Sequence, residues 1–230
     1  MGKKGVVLLL LVFGSLLSGL GVSFADQEFT FIVEQDTWVN EGNPDENYGN
    51  NTYLSVKDRS GLAEAYLRFS DADLGLLKGL QLSSATLFMN QYQYNYSTGD
   101  QIQLHKVMSG WNDGEITWNT KPLYEAQSMS SINLTEGNNV WREWNDLEDC
   151  VTSWVNGQNY GLVLENNKDN QNNELFARFY SSESLIQDTR PYLRVTAAPE
   201  PISSLLFLVG GASFAAVRRI QKKSNLDSRL

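Results

Sequence analysis

Three tyrosines alternate with polar residues in one short segment of this sequence. Tyr92, Tyr94 and Tyr96 are separated by Gln93 and Asn95. In an extended strand, residues two apart share a face. Aromatic rings that carry a hydroxyl suit sugar rings, which offer apolar patches and polar edges. The spacing predicts a ligand-binding stripe; the alternative is ordinary tyrosines on a half-buried strand, where this residue type is common.

Two tryptophans and two arginines are further candidates for contact with a polar ligand. Trp111 and Trp118 bracket the tight turn at residues 112–114, and clamping that loop onto the core is the favoured interpretation over ligand binding. Arg68 and Arg178 lie among apolar neighbours on predicted strands. They could reach carboxylates or hydroxyl groups of a ligand, but the excess of acidic residues favours structural pairing.

Oxygen-bearing side chains cluster near the start of the chain's main segment. Asp36, Glu41, Asn43 and Asp45 could together supply ligands for calcium, which prefers several oxygen atoms. Their spacing does not follow the twelve-residue EF-hand pattern. A structural calcium ion is therefore one interpretation of this segment, and a polar turn is the other.

Catalytic chemistry has little support in the sequence. His105 is the only histidine and sits inside a predicted strand, with no serine or cysteine placed to form a nucleophilic pair. Cys150 is the only cysteine, so no internal disulfide can form, and its apolar neighbours predict buried packing. Carboxylates are abundant, but a hydrolase pair must face across a cleft. We therefore predict a protein that is not an enzyme.

The elements that would position these residues are predominantly strands. Period-two or short apolar runs separated by Asn, Gly and Asp turns predict an all-β, antiparallel sandwich or jelly roll. These runs occur at residues 29–33, 66–69, 85–90, 101–107, 160–164, 175–180 and 192–196. One short helix is predicted near residues 146–156, where apolar residues recur at helical spacing. Asn145 is its predicted cap, with Glu148 completing a capping box and Gly157 ending it.

The N-terminus has the features of a removable export signal. Lys3 and Lys4 precede an apolar run, and small residues at 23 and 25 offer a cleavage position after Ala25. Residues 1–25 are therefore predicted to be a signal helix that signal peptidase removes. Residues 26–198 then form one domain by length.

The C-terminus, residues 199–230, has three consecutive parts of a sorting tail. Pro199, Glu200 and Pro201 precede an uncharged stretch at residues 202–217, and a basic cluster at residues 218–223 follows. The cluster contains Arg218, Arg219, Lys222 and Lys223. A helix over the uncharged stretch would be ~24 Å long, slightly short of the ~30 Å hydrocarbon core. Basic residues flank both apolar segments on the side expected to be cytoplasmic, so the domain between them is predicted to lie outside.

The charge of that domain excludes some partners. The whole chain has 18 Lys and Arg against 27 Asp and Glu, a net charge of −9. The two end segments hold seven of the basic and two of the acidic residues, which leaves 11 against 25, or −14, for residues 26–198. A field of this sign repels nucleic acid. It also disfavours acidic glycans unless a local basic patch overrides it, so neutral sugars or cations are the easier partners.

Nine short phrases, taken in order, resemble the DNRLRE-type domain over nearly all of residues 35–196. They are NPDENYG at 43–49, LSV at 54–56, AYLRF at 65–69, LSSATL at 82–87, WNDGEITWN at 111–119, TSWVNG at 152–157, YGLVL at 160–164, FYSSE at 179–183 and RPYLRV at 190–195. The resemblance implies a jelly roll like those of carbohydrate-binding modules, in which some relatives bind alginate and others accompany a disaggregatase-type region.

The tail separately resembles a PEP-CTERM sorting signal. That resemblance implies transient insertion in the inner membrane, processing by an exosortase and delivery to the cell surface or extracellular matrix. Together the two resemblances predict a non-catalytic module that binds extracellular polysaccharide or mediates adhesion. A polysaccharide-degrading enzyme of the disaggregatase kind, and a biofilm matrix protein without a specific ligand, are the alternatives.

Overall fold

The computed structural model describes residues 26–58, 61–95, 101–135, 137–166 and 176–199, and these form an antiparallel β-sandwich. Each recorded strand pairing is antiparallel, so the predicted all-β fold is confirmed. The strands are β1 (Gln27–Asn40), β2 (Tyr53–Lys57), β3 (Ala63–Phe69), β4 (Leu80–Asn95), β5 (Gln101–Lys106), β6 (Ser130–Asn133), β7 (Val140–Trp144), β8 (Leu162–Asn166), β9 (Phe176–Tyr180) and β10 (Tyr192–Pro199).

The long strand β1 connects the two layers. Its first half pairs with β10, and after an irregularity between Val33 and Gln35 its second half pairs with β3. One layer therefore continues from β1 through β3, β8 and β5 to β6. A strand that changes partner midway in this manner is typical of sandwiches whose corners are made by bulges or bends.

The second layer is built around β4, the longest strand. Leu80–Phe88 of β4 pair with β10, and the segment from Gln91 to Asn95 pairs with β9, which in turn pairs with β2. Strand β7 pairs with β4 over residues 87–91. The pairing of β2 with β3 joins the layers, because Lys57 lies opposite Ala63.

The main core lies between the layers and is formed by alternate residues of each strand, whose side chains point inward. Leu67 on β3, Leu87 on β4 and Phe179 on β9 are fully buried there, and Trp144 on β7 is the largest of the fully buried side chains. A smaller core lies on the other face of β3, where residues 107–116 fold over it. Trp111 and Ile116 pack there with Tyr66 of β3.

The helical content corrects the prediction of a single capped helix. Besides the expected helix, here α2 (Glu148–Val155), the described residues form α1 (Asp71–Leu74) and two 3-10 turns at Gly75–Leu77 and Gln187–Thr189. These turns are too short to show helical periodicity in a sequence.

The predicted capping box of α2 is also wrong. Leu147 occupies the cap position and makes no side-chain capping bond. Asn145 Oδ1 instead accepts a hydrogen bond from Thr86 at 2.9 Å, and Glu148 Oε1 accepts one from the Ala85 N–H at 3.1 Å. Both side chains therefore tie the helix to β4.

The predicted signal peptide and sorting tail, apart from the Pro199 backbone at the end of β10, lie outside the described residues. Within the described part of the chain, no helix has the length and apolarity needed to cross a membrane.

Candidate functional site

The predicted tyrosine stripe is interrupted by a bulge in β4. Gln91 pairs with Phe179 of β9, but two residues later Gln93 pairs with Arg178, so Tyr92 is the extra residue. Tyr94 then pairs with Ala177, whose side chain points into the core. The prediction that these tyrosines share one face is therefore wrong, because a bulge shifts the alternation; Tyr96 lies outside the described residues.

The bulge turns Tyr92 onto a face formed mainly by β2 and β9. The two strands pair in register, with Tyr53 opposite Tyr180, Ser55 opposite Arg178 and Lys57 opposite Phe176. Directly opposed residues lie on the same side of a sheet. Six side chains from these pairs therefore share one face, and Leu54 and Val56 point the other way, into the core.

A groove of about 240 Å³ runs along this face. It is lined by Trp38, Asn40, Ser55, Lys57, Ala63, Phe176 and Arg178. We call this groove, together with the adjoining Tyr53 ring under the Arg178 guanidinium, the aromatic groove. Its volume is slightly below the ~300–1,000 Å³ typical of small-molecule sites. The groove therefore has room for a small unit such as a sugar ring or a chain end.

Aromatic rings continue along the aromatic groove and beyond it without a break. Trp38 stacks on Tyr48 with 3.9 Å between ring centroids and lies 5.8 Å from Tyr53. Tyr53 is 6.3 Å from Tyr92, and Tyr92 is 4.8 Å from Tyr180. Four of these five rings are half-buried, and Trp38 is almost entirely buried. The rings therefore form a continuous aromatic wall whose edges and faces are partly exposed to solvent.

Arg178 is the cation at the centre of this wall. Its guanidinium lies 4.8 Å above the Tyr53 ring and 4.7 Å above the Phe176 ring, and it donates a hydrogen bond to Gln93 at 3.0 Å. Its Nε atom is buried and has no hydrogen-bond partner among the described residues. A buried donor without a partner destabilises the folded state unless a ligand or water accepts its hydrogen bond.

Burial raises the pKa of Tyr92, while the neighbouring Arg178 opposes that rise. The Tyr92 hydroxyl is therefore a neutral group at physiological pH, able to donate and accept hydrogen bonds.

A second aromatic surface lies on the outer side of β4, β7 and β10. Phe88 and Tyr192 stack with their centroids 4.8 Å apart, and Trp141 meets Tyr192 edge-on at 5.3 Å. Arg194 lies 4.7 Å above Phe88 and also pairs with Glu28 at 3.6 Å. Neither the aromatic groove nor the small cavity beside Leu77 and Thr152 is lined by these residues. We therefore treat this second aromatic surface as a comparison for the aromatic groove.

The remaining predicted contact residues lie away from the aromatic groove. Trp111 is buried and donates to the carbonyl of Tyr160 at 2.7 Å, so it holds its loop as the clamp interpretation expects. The Lys121 ammonium sits 3.5 Å above the half-buried Trp118 ring. Arg68 pairs with Glu34 at 3.8 Å. Among the predicted contact residues that the structure describes, Tyr92 and Arg178 lie together beside the aromatic groove, whereas Trp111 and Trp118 share the smaller core.

The four predicted calcium ligands are also not brought together. Glu41 accepts a hydrogen bond from the Leu62 N–H at 3.2 Å, and Asp45 accepts one from Asn119 at 2.8 Å. Asn43 donates to the Tyr48 hydroxyl, whereas Asp36 is buried in β1. Within the described ranges, no three His, Cys, Asp or Glu side chains form a group able to hold a metal ion.

A buried polar network surrounds His105 under the loop at residues 121–125. His105 Nε2 lies 3.2 Å from Glu165, and its Nδ1 lies 2.8 Å from the Glu125 carbonyl oxygen. Tyr124 donates to Glu165 at 2.6 Å, and Tyr66 donates to Glu64 at 3.1 Å. Burial, followed by the adjacent carboxylates, raises the pKa of both tyrosines.

These partners determine what the network can do. Phenols with a raised pKa stay protonated at physiological pH, so they are poor general bases. His105 is about 1% exposed, with both ring nitrogens directed at protein groups. The arrangement therefore acts as an internal connection between the outer face of the sheet and its covering loop.

Cys150 is buried, and burial raises the pKa of its thiol to about 12. Its thiolate is therefore scarce at neutral pH, which makes it an unreactive packing residue. The prediction for this residue is confirmed.

Most of the aromatic groove was not predicted from the sequence. Trp38, Tyr53 and Phe176 come from three strands whose pairing no short pattern reveals. One signal was present: Phe176, Arg178 and Tyr180 alternate with small or apolar residues along β9. That alternation marks a strand with one exposed aromatic and cationic face.

Comparison with known proteins finds one family model that matches most of the chain. A model described as carbohydrate-binding module family 96 matches residues 27–197. The chain is 26% identical over 188 residues to a tRNA3(Ser)-specific nuclease WapA of Bacillus spizizenii, and 25% identical to a tRNA nuclease WapA of Bacillus subtilis strain 168. Each match covers 74% of this chain but only 8% of the relative, so the chain spans a small part of those proteins' length.

Proposed function

We propose, because this chain belongs to carbohydrate-binding module family 96, that its domain binds an extracellular polysaccharide in the aromatic groove without cleaving it. The supporting observation is the combination of Trp38, Tyr53 and Phe176 with the unsatisfied Nε of Arg178. Aromatic faces accept the apolar side of a sugar ring, and a fixed cation or donor orients its polar edge.

The affinity of one aromatic groove for a sugar should be modest. Two or three ring contacts of roughly 1 kcal/mol each, judged from buried area, stay below the ~4 kcal/mol of millimolar binding. The hydrogen bonds of Arg178 add to this value. Many copies acting on one polymer would then give firm attachment.

The charged residues of the aromatic groove narrow the class of polysaccharide that we expect it to bind. The domain carries −14 overall, which favours neutral polysaccharides, but Lys57 and Arg178 both line the aromatic groove. A local basic patch of this kind can accept a carboxylate on a uronic acid against the field of the whole domain. Neutral and uronate-containing polymers are therefore the two classes to compare.

Binding without catalysis is the favoured activity. Both ring nitrogens of His105 face protein groups, Glu165 and the Glu125 carbonyl. The aromatic groove has no pair of carboxyl groups among its lining residues. The nuclease activity in the names of the WapA relatives belongs to proteins that are much longer than this chain. An acidic domain also repels tRNA, so we propose that this chain does not act on it.

Export completes the proposal. We infer that residues 1–25 are removed on secretion and that residues 199–230 direct sorting by an exosortase. The support is the sequence pattern of both ends, with basic residues next to each apolar segment. The domain would then act at the cell surface or in the extracellular matrix.

A binding and cleavage assay tests the proposal. The protein is mixed with insoluble neutral and uronate-containing polysaccharides at low and high salt, and bound protein and released reducing ends are measured. We expect retention on at least one polymer with no release of reducing ends. Release would establish the enzyme alternative, and absence of retention on every polymer would favour a matrix protein without a ligand.

A further inference from the structure

Asp36 is a buried acid in the middle of β1, and it faces a second acid. Its side chain is about 1% exposed, and the carboxyl group of Glu183, on the loop after β9, lies beside it. Burial is the main cause that raises the pKa of Asp36, and the charge of Glu183 raises it further. Two facing carboxylates of this kind need a compensating positive charge or a shared proton.

The oxygen atoms of this pair are only partly satisfied. Asp36 Oδ2 accepts a hydrogen bond from the Ser182 N–H at 2.8 Å, and Glu183 Oε1 accepts one from the Ser182 hydroxyl at 2.8 Å. Asp36 Oδ1 and Glu183 Oε2 are buried and have no hydrogen-bond partner within the described residues. Each carboxyl group therefore has one unsatisfied oxygen, and both groups contact the same residue, Ser182.

We propose that Asp36 and Glu183 hold a divalent cation, with calcium the best fit, between β1 and the loop that follows β9. The candidate ligands are all oxygen atoms, which hard cations prefer, and two carboxylates neutralise the charge of one such ion. The Ser182 hydroxyl and water can complete the shell, because calcium takes six to eight oxygen ligands.

The position of this site gives the cation a structural role near the aromatic groove. Asp36 lies two residues before Trp38 on β1, and Glu183 lies three residues after Tyr180 of β9. A cation between them would fix the strand that carries Trp38 against the segment that follows Tyr180. The inference does not rest on polysaccharide binding, since it concerns the folded domain alone.

Thermal unfolding of the protein with and without cation tests the site. Metal-free protein near neutral pH is melted in EDTA, in magnesium and in calcium. At calcium well above its Kd, binding to the folded state alone should raise the Tm by about 5–10 °C for a domain of this size. Magnesium should give a smaller shift, because it keeps its own water and demands a tighter octahedron.

Three variants test whether the calcium-dependent rise in Tm arises at Asp36 and Glu183. Asp36→Asn and Glu183→Gln should each abolish the calcium shift, and either one suffices if the other fails to fold. Asp45→Asn is the matched control, because Asp45 is an exposed loop acid whose asparagine replacement keeps an acceptor for Asn119; it should keep the full shift. Equal Tm values of the wild type in EDTA and calcium would overturn the proposal in favour of a shared proton. So would an unchanged shift in Asp36→Asn.

Discussion

Tyr92 and Tyr94 lie on opposite faces of the sheet, although a single residue separates them in the sequence. The bulge opposite Arg178 and Phe179 turns Tyr92 towards Tyr180, at 4.8 Å, and leaves Tyr94 paired with the core-facing Ala177. These two similar side chains, both half-buried, therefore form a matched pair for testing which face binds a ligand.

We expect Tyr92→Ala to weaken polysaccharide binding about fivefold, which corresponds to ~1 kcal/mol of lost ring contact. Tyr94→Ala should change it less than twofold, because Tyr94 pairs with Ala177 and lies on the opposite face of the sheet. Affinity electrophoresis in gels containing the polymer measures both variants, with Tm values to verify folding. A larger effect of Tyr94→Ala than of Tyr92→Ala would place the ligand on the other face.

Gly161 is expected to be the glycine least tolerant of substitution next to β8. Its φ is +82°, and a Cβ at this position would lie 2.1 Å from the Leu67 carbonyl oxygen. Gly161→Ala should therefore cost about 2 kcal/mol or more and lower the Tm by ~4–8 °C. Gly75→Ala is the control, because φ there is −57° and nothing lies within 4 Å of the added Cβ. Equal Tm values for the two variants would contradict the local geometry at Gly161.

The His105 network predicts a pH-dependent contribution to stability. Burial lowers the pKa of His105, but hydrogen bonds to the Glu165 carboxylate and the Glu125 carbonyl raise it more, so the net shift is upward. A raised folded pKa gives stability that is complete below the ordinary value of about 6.5 and lost as the pH rises through the folded value.

His105→Gln should therefore destabilise the protein more near pH 6 than near pH 8.5. Urea unfolding at both pH values measures the difference, and Glu165→Gln, which removes the partner, should show the same trend. A destabilisation that is constant with pH in both variants would mean that His105 stays neutral throughout.

Export predicts two defined ends in the mature protein. Mass spectrometry of protein from the extracellular fraction should find a start at Asp26 and no peptide beyond Pro201, because each end carries a processing signal. Replacing Arg218 and Arg219 with glutamine should keep the start at Asp26 but leave the tail uncleaved. Cytoplasmic protein that retains Met1 and Leu230 would refute both processing steps.

The sequence is most informative where a residue's environment depends on its own strand. The alternation of Leu87 and Met89 in β4 predicts a strand with one buried side, and both are fully buried. The helix around Val151 and Trp154 follows in the same way from apolar spacing. These patterns follow from the regular repeat of a strand or helix backbone, and they do not depend on which strand lies beside it.

The aromatic groove depends instead on which strands become neighbours. Trp38, Tyr53 and Phe176 lie on three separate strands and meet only because β2 pairs with both β9 and β3, and β3 pairs with β1. The face of Tyr92 likewise depends on a bulge that exists only opposite β9. The meeting of Asp36 with Ser182 and Glu183, across 146 and 147 residues, has no local signal either.

The central claim, that the aromatic groove is the ligand site, is tested most directly by removing one aromatic surface at a time. Tyr53→Ala/Phe176→Ala opens the aromatic groove, and Trp141→Ala/Tyr192→Ala removes equivalent rings from the second aromatic surface; all four are half-buried. Retention on the polysaccharide that the wild type binds best is compared for folded samples of both double variants. We predict at least tenfold weaker retention, ~1.4 kcal/mol, for the first and less than a twofold change for the second. Full retention by Tyr53→Ala/Phe176→Ala together with a loss in Trp141→Ala/Tyr192→Ala would contradict the claim.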